Sequence, residues 1–372
     1  MQFKPKLLAG LVFVVAGTAQ SATQSAVDLV CKAERVGPFL DFEYRFTMGM
    51  WFRLPARQFW GAPVGIDLEI EVSPVHDTPG EPIWIDDRVQ GTQPMPSGTK
   101  GELYFSRGIS LGPGRYVADW TLRDDQGRSC RGTRQFRAAL SRRDRDVEVS
   151  LAPGEVVDAG VYLFRPEDSI PRPHLRGPSR LKIFVSMDVM NRRGQVVRPR
   201  LLHLLPLVAT LRQLGRSPRF NEFSVVVFSF EDQDILVRQD YGSEIDFRSL
   251  SGVIDELEPD TVDVSDLIYG SEMNFFEELL SSELLGSDPP DGVVFVGREM
   301  NFGKTVPKST LARVRALGAP VAFLDASRYA WRGAMGNLAR ALGGREYVLR
   351  RPGDLARAVS AFENQVIDSI PQ

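Results

Sequence analysis

The chain of 372 residues is poor in the side chains from which most metal and nucleophilic sites are built. It has three histidines, His76, His174 and His203, and two cysteines, Cys31 and Cys130. Scattered in this way they make no zinc-type ligand spacing, so no metal is expected. No G-x-S-x-G elbow is present, and no histidine stands near a nucleophile as a Ser-His-Asp triad requires. A surplus of either charge is also missing. The formal net charge is −3, with Arg and Lys interspersed among Asp and Glu, which excludes the concentrated basic face of a nucleic-acid binder. The densest charged run, Arg142-Arg143-Asp144-Arg145-Asp146, alternates in sign and reads as a solvated connector. No segment beyond the N-terminus is apolar enough to span a bilayer, and no motif asks for a cofactor.

What is present begins with an export signal over residues 1–21. Lys4 and Lys6 form a positive start, Leu7 to Ala16 an apolar core, and small residues follow. That core is shorter than the roughly 20 residues of a membrane span. The expected location is therefore periplasmic or extracellular, with no integral membrane segment after signal removal. In an oxidising compartment Cys31 and Cys130 are expected to form a disulfide. Closing a loop of about 100 residues contributes up to about 4–5 kcal/mol in the chain-entropy picture.

Residues 22–164 read as all-β. The segments 40–54, 65–74, 82–89 and 115–125 alternate apolar with polar residues, and Pro/Gly stretches separate them. Asp124-Asp125-Gln126-Gly127-Arg128 is a hairpin turn. Tyr116, Ala118 and Trp120 share one alternating face and are assigned to a core. This spacing predicts an immunoglobulin-like β-sandwich. Residues 165–180 carry four prolines in sixteen positions and read as a linker. From 181 to 372 the period changes. Apolar runs at 181–189, 222–230, 292–297 and 320–325 alternate with helical patterns, so the prediction is a doubly wound α/β domain with a parallel sheet.

One stretch of this second half, VVFVGREMNFGKT (293–305), has the look of a phosphate loop. Such a loop needs four residues between its glycines and a helix immediately after the lysine. Here five residues separate Gly297 from Gly303, and Val306-Pro307 interrupts the helix. A nucleotide site is excluded on that spacing.

The order of strands and helices over about 180–372, with FSVVVFSFEDQDILVRQD as a strand-turn-strand unit, resembles the von Willebrand factor A domain. A β-rich half before such a domain is similar to a group of secreted bacterial proteins related to that family. The resemblance implies a metal-ion-dependent adhesion site formed by D-x-S-x-S after the first strand, a threonine, and an aspartate after the fourth strand. In IFVSMDVMNRR, Asp188 matches the first aspartate, but Met190 and Arg192 stand at the serine positions. Gly297 and Arg298 occupy the place of the later aspartate. The site is therefore expected to be degenerate and metal-free. Asp188, Asn191, Arg192, Arg298 and Asp325 are the candidate binding rim, with the arginines taking an acidic group of a partner directly. The expected function is an exported, non-catalytic protein–protein interaction module at the cell envelope. The alternative is a secreted hydrolase or hydrolase subunit.

Overall fold

The computed structural model describes residues 28–75, 78–159, 179–190, 196–197, 201–256, 272–286, 288–300, 305–327 and 333–369. Residues 1–21, read from the sequence as an export signal, nearly all of the Pro-rich stretch 165–180, Asn191 and Arg192 lie outside the described residues, as do His76 and His174.

Alternation dictates the first part of the molecule. Eight strands follow one another: β1 (Lys32–Leu40), β2 (Phe46–Pro55), β3 (Pro63–Pro74), β4 (Ile83–Pro94), β5 (Glu102–Leu111), β6 (Gly114–Asp124), β7 (Ser129–Ala138) and β8 (Val156–Asp158). They pair antiparallel in two four-stranded sheets, ordered β1-β2-β5-β8 and β4-β3-β6-β7. Every second residue of β2, from Phe46 through Met48, Met50 and Phe52 to Leu54, is buried. These residues share one core with Ile66, Leu68, Ile70 and Val72 of β3 and with Tyr116, Ala118, Trp120 and Leu122 of β6. Full burial of each large apolar side chain contributes roughly 1.5–3 kcal/mol, so this single cluster is what holds the two sheets together. The β6–β7 turn is fixed by Asp124, whose carboxylate accepts the N–H groups of Gln126 (3.0 Å) and Arg128 (2.9 Å). Cys31 and Cys130 are bonded, tying the start of β1 to β7 across a separation of 99 residues.

From residue 180 on, strands and helices interleave. The strands are β9 (Arg180–Ser186), β10 (Val189–Met190), β11 (Val196–Val197), β12 (Glu222–Ser229), β13 (Asp234–Gly242), β14 (Gly292–Gly297), β15 (Val321–Asp325) and β16 (Arg345–Val348). The helices are α1 (Leu201–Gly215), α2 (Phe247–Glu256), α3 (Glu272–Leu284), α4 (Lys308–Arg315), α5 (Ala334–Ala341) and α6 (Pro352–Ser369). A six-stranded sheet runs β13-β12-β9-β14-β15-β16, and β10 and β11 form a separate antiparallel ribbon. Leu181, Ile183 and Val185 of β9 pack with α1 and α6. Phe184, on the opposite side of the same strand, packs with α3 and α5.

The expected fold class is corrected by this arrangement. The chain is predominantly β, with 43% strand against 25% helix, and it does not divide into an all-β half and a clear doubly wound α/β domain. Among the described residues there are three sheets of four, four and six strands besides the ribbon. The six-stranded sheet is mixed, because β13 runs antiparallel to β12 along its edge. Its core is also not self-contained. Tyr44 and Val147, from the β-rich part, belong to the same cluster as α1, α2 and α6. Arg212 of α1 is fully buried there and forms an ion pair with Glu43 of the β1–β2 turn. The misreading has a physical cause: β1 and β5 do not show the alternation by which strands were counted, so the strand content was underestimated.

Candidate functional site

The carboxyl ends of β9, β14 and β15 lie side by side, with Gly297 opposite Asp325 in the sheet register. Two of the residues assigned to a binding rim are found here, but they face inward. Asp188 is buried, and its carboxylate accepts hydrogen bonds from Ser186 Oγ (3.1 Å), Ser229 Oγ (3.1 Å), Phe230 N (2.7 Å) and Glu231 N (3.3 Å). It fastens the turn after β12 to the end of β9. Burial raises its pKa, and those four donors act the other way. Asp325 is completely buried, and Oδ1 accepts the N–H of Ser327 at 2.8 Å. Arg298 is half-buried just beyond β14, and Asn191 and Arg192 lie outside the described residues. The described strand ends therefore present buried carboxyls, each engaged by its own surroundings, and no open rim. Among the described residues no group of three or more His, Cys, Asp or Glu is placed to hold a metal ion.

The same region contains a residue that sequence reasoning passed over. Glu299, two positions past β14, is buried under the first turn of α5. Its Oε1 accepts Gly336 N (2.7 Å) and its Oε2 accepts Met335 N (3.2 Å), while Met300 O accepts Ala334 N (2.7 Å). These are N–H groups that a helix start leaves without intrahelical partners. Glu299 N donates in turn to Ser327 Oγ (2.9 Å), which places it beside Asp325. A Cβ at Gly336 would run into the carboxylates of both Glu299 and Glu346, so glycine is what lets the two approach the helix. Burial pushes the Glu299 pKa up to about 7. The Gly336 N–H opposes that shift, and the charges of Asp325 and Glu346 add to it. The Asp325 pKa is likewise raised, first by burial.

The surface that departs most from a solvated sheet is elsewhere, on the outer face of β1-β2-β5-β8. Because Phe46, Met48, Met50, Phe52 and Leu54 point into the core, Thr47, Gly49, Trp51 and Arg53 point out. The register sets Trp51 between Glu34 and Ser106, Gly49 between Val36 and Gly108, and Arg53 between Lys32 and Tyr104. Trp51 is 46% exposed, Val36 48%, Phe39 51% and Tyr104 61%. The indole leans across Gly49, where a Cβ would stand 3.0 Å from Trp51 Nε1 and 3.8 Å from Val36 Cβ. Arg53 is ion-paired to Glu34 and to Glu102 (3.7 Å), and Tyr104 Oη donates to Glu102 (2.9 Å). The result is an apolar strip, Phe39–Val36–Trp51, bordered by a fixed array of charged groups. The outer face of β4-β3-β6-β7 is unlike it, since Asp67, Glu69, Glu71, Asp86, Arg88 and Asp119 cover it and Trp84 is its one large exposed apolar residue.

No family model matches the chain, and no curated protein matches it. Among solved structures, the ApaA protein of Bordetella pertussis is 16% identical, with 31% of this chain and 95% of that one covered, at a TM-score of 0.20. A calcium-binding mutant of β-glucuronidase 2 from Bacteroides uniformis is 11% identical, with 80% of this chain and 33% of that one covered, at a TM-score of 0.18. Likenesses this slight carry no argument about fold or function.

Proposed function

We propose that the protein is an exported, non-catalytic binding module of the cell envelope, and that it docks a protein partner on the outer face of β1-β2-β5-β8. The observation that carries the reading is the exposed strip Phe39–Val36–Trp51 on a sheet whose outward residues would ordinarily be polar. Trp, Tyr and Arg dominate the energetics of protein interfaces, and Trp51, Tyr104 and Arg53 are neighbours here. Arg53 and Tyr104 are held by Glu34 and Glu102, so little side-chain freedom remains to be lost on binding. The Cys31–Cys130 disulfide supports export to an oxidising compartment. Among the described residues no helix is long and apolar enough to cross a membrane.

Photo-crosslinking in envelope extract tests the proposal. A benzoylphenylalanine at Trp51 is expected to capture one defined protein, and the same group at Thr133 on the opposite sheet is expected to capture none. Val36→Asp in the Trp51 probe should abolish the product. Equal labelling from both sheets, or a product that survives Val36→Asp, overturns the assignment of this face.

A further inference from the structure

We propose that Glu299, enclosed by Asp325, Glu346 and the first turn of α5, is a proton-operated latch that seats α5 on the sheet when neutral and loosens it when ionised. This inference is independent of the docking face.

The geometry carries it in three parts. First, the start of α5 is held by Glu299 and Met300 in succession, through the N–H groups of Ala334, Met335 and Gly336. Release of that turn uncovers Met335, Leu338 and Ala339, which otherwise pack in the core under the sheet. Second, the groups facing Glu299 are mostly acceptors. Asp325 comes from β15 and Glu346 from β16, and Arg340 of α5 is ion-paired with Glu346. Asp325 Oδ2 is buried with no hydrogen-bond partner among the described residues. A neutral Glu299 adds one O–H donor beside the Asp325 and Glu346 carboxylates, and it keeps an acceptor for the helix N–H groups. An ionised Glu299 adds a third carboxylate charge in a site closed to water, and the partial positive charge of the helix start offsets only part of that. Third, a side chain at Gly333 or Gly336 would collide with the Glu299 carboxylate, so the seat is shaped around that group.

The direction of the effect follows from linkage. Glu299 titrates near 7 when seated and returns towards 4.5 when α5 lifts and the carboxyl meets water. Opening therefore becomes easier as the pH rises, by about thirtyfold between pH 5.5 and pH 8.5.

Hydrogen exchange on the full chain, corrected for the intrinsic pH dependence of exchange, reads this directly. The Met335 and Gly336 amides are expected to open about thirtyfold more often at pH 8.5 than at 5.5, and faster than amides of β14 at both. Glu299→Gln, which keeps a donor and an acceptor but cannot ionise, should remove the pH dependence. Glu346→Gln, which takes away one neighbouring charge, should reduce it and move its midpoint to lower pH. The latch is refuted if the wild-type ratio is near one, or if Glu299→Gln retains it. It is equally refuted if α5 opens only together with β14. Should Glu299→Gln not fold, an unchanged ratio in Glu346→Gln refutes it.

Discussion

Replacing Glu43 with alanine should destabilise the whole molecule, and its two ends together. Glu43 sits in the β1–β2 turn, and its carboxylate meets the guanidinium of Arg212, whose side chain is 0% exposed. Arg212 lies in the last turn of α1, stacked over the Phe247 ring at 5.3 Å and surrounded by the cluster that contains Tyr44, Leu211 and Leu214. A guanidinium does not deprotonate at any ordinary pH, so it cannot escape burial by becoming neutral. Glu43 also meets Arg45, so its carboxylate serves two cations, and removing one partner of a buried ion pair costs about 3–5 kcal/mol. The double replacement Glu43→Leu/Arg212→Met removes both charges and their desolvation penalty, and should recover most of that loss. Four of the five tryptophans, at 51, 60, 84 and 120, precede residue 165, whereas the helices follow it. In urea unfolding, tryptophan fluorescence thus follows the β-rich part and the 222 nm circular dichroism follows the helical part. The expected result is one coincident transition in the wild type, shifted by the same amount in both signals by Glu43→Ala. A cost below 1 kcal/mol, or a shift confined to one signal, would show that the pair does not couple the two parts.

Three further outcomes are expected. Cys31→Ser/Cys130→Ser opens a cross-link across 99 residues and should lower stability by up to about 4–5 kcal/mol; an unchanged urea midpoint on adding reductant to the wild type would contradict this. The raised pKa of Glu299 makes the folded state hold its proton more tightly than the unfolded chain, so its stabilising contribution is complete below about 4.5 and is lost as the pH rises through about 7. The loss is worth about 3 kcal/mol, and pH-dependent unfolding should show it in the wild type and not in Glu299→Gln. Gly252 lies exposed within α2, where a Cβ would meet nothing within 4 Å, so Gly252→Ala should raise stability by about 0.5–1 kcal/mol. Gly336→Ala, by contrast, should lower it, because its methyl group displaces the Glu299 and Glu346 carboxylates. Equal and opposite midpoint shifts in the two variants would be the clearest outcome, and a destabilised Gly252→Ala would count against the packing described for α2.

Much of the strand pattern was legible because it obeys period two. In β2, β3 and β6 the apolar residues recur at every second position, and the structure buries those positions. The disulfide was legible too, from two cysteines in a chain expected to be exported. The sheet class was not. Apolar runs such as Leu181–Val185 and Val293–Val296 show that a strand is covered on both sides, but they do not say which way its neighbour runs. The antiparallel β13 follows β12 through a short turn, whereas the shared core around Tyr44 and Val147 is set by contacts distant in sequence. Glu299 escaped notice for the same reason, since the helix turn it caps begins 36 residues later. Asp325 accepts the N–H of Ser327 two positions on, a local contact of the kind that opens a loop. Its complete burial has no trace in the neighbouring residues.

The strands that alternation failed to find bear on function. In KAERVGPFL of β1, Val36 and Phe39 face solvent, and in ELYFSRGISL of β5 Tyr104 does, while Gly108 leaves its outward position without a side chain. Apolar outward residues invert the hydrophobic-in, polar-out pattern, so both segments look unlike half-buried strands. The two lie on either side of β2, which contributes Trp51 at the centre of the same face. A sequence departs from local rules where another requirement acts on it, and here the departures on three adjacent strands converge on one surface. At the carboxyl ends of β9, β14 and β15 the opposite holds. Asp188, Glu299 and Asp325 are unusual in being carboxyl groups inside the protein, yet Asp188 anchors a turn, Glu299 seats a helix and Asp325 holds a loop. Inward carboxyls engaged by backbone N–H groups present nothing to a docking protein, whereas an exposed indole beside exposed valine and phenylalanine leaves apolar area in water that a partner can cover. The search for a partner therefore belongs on the β1-β2-β5 face, and a Phe39→Asp variant of the Trp51 probe that folds normally but loses the cross-linked product would separate binding from stability.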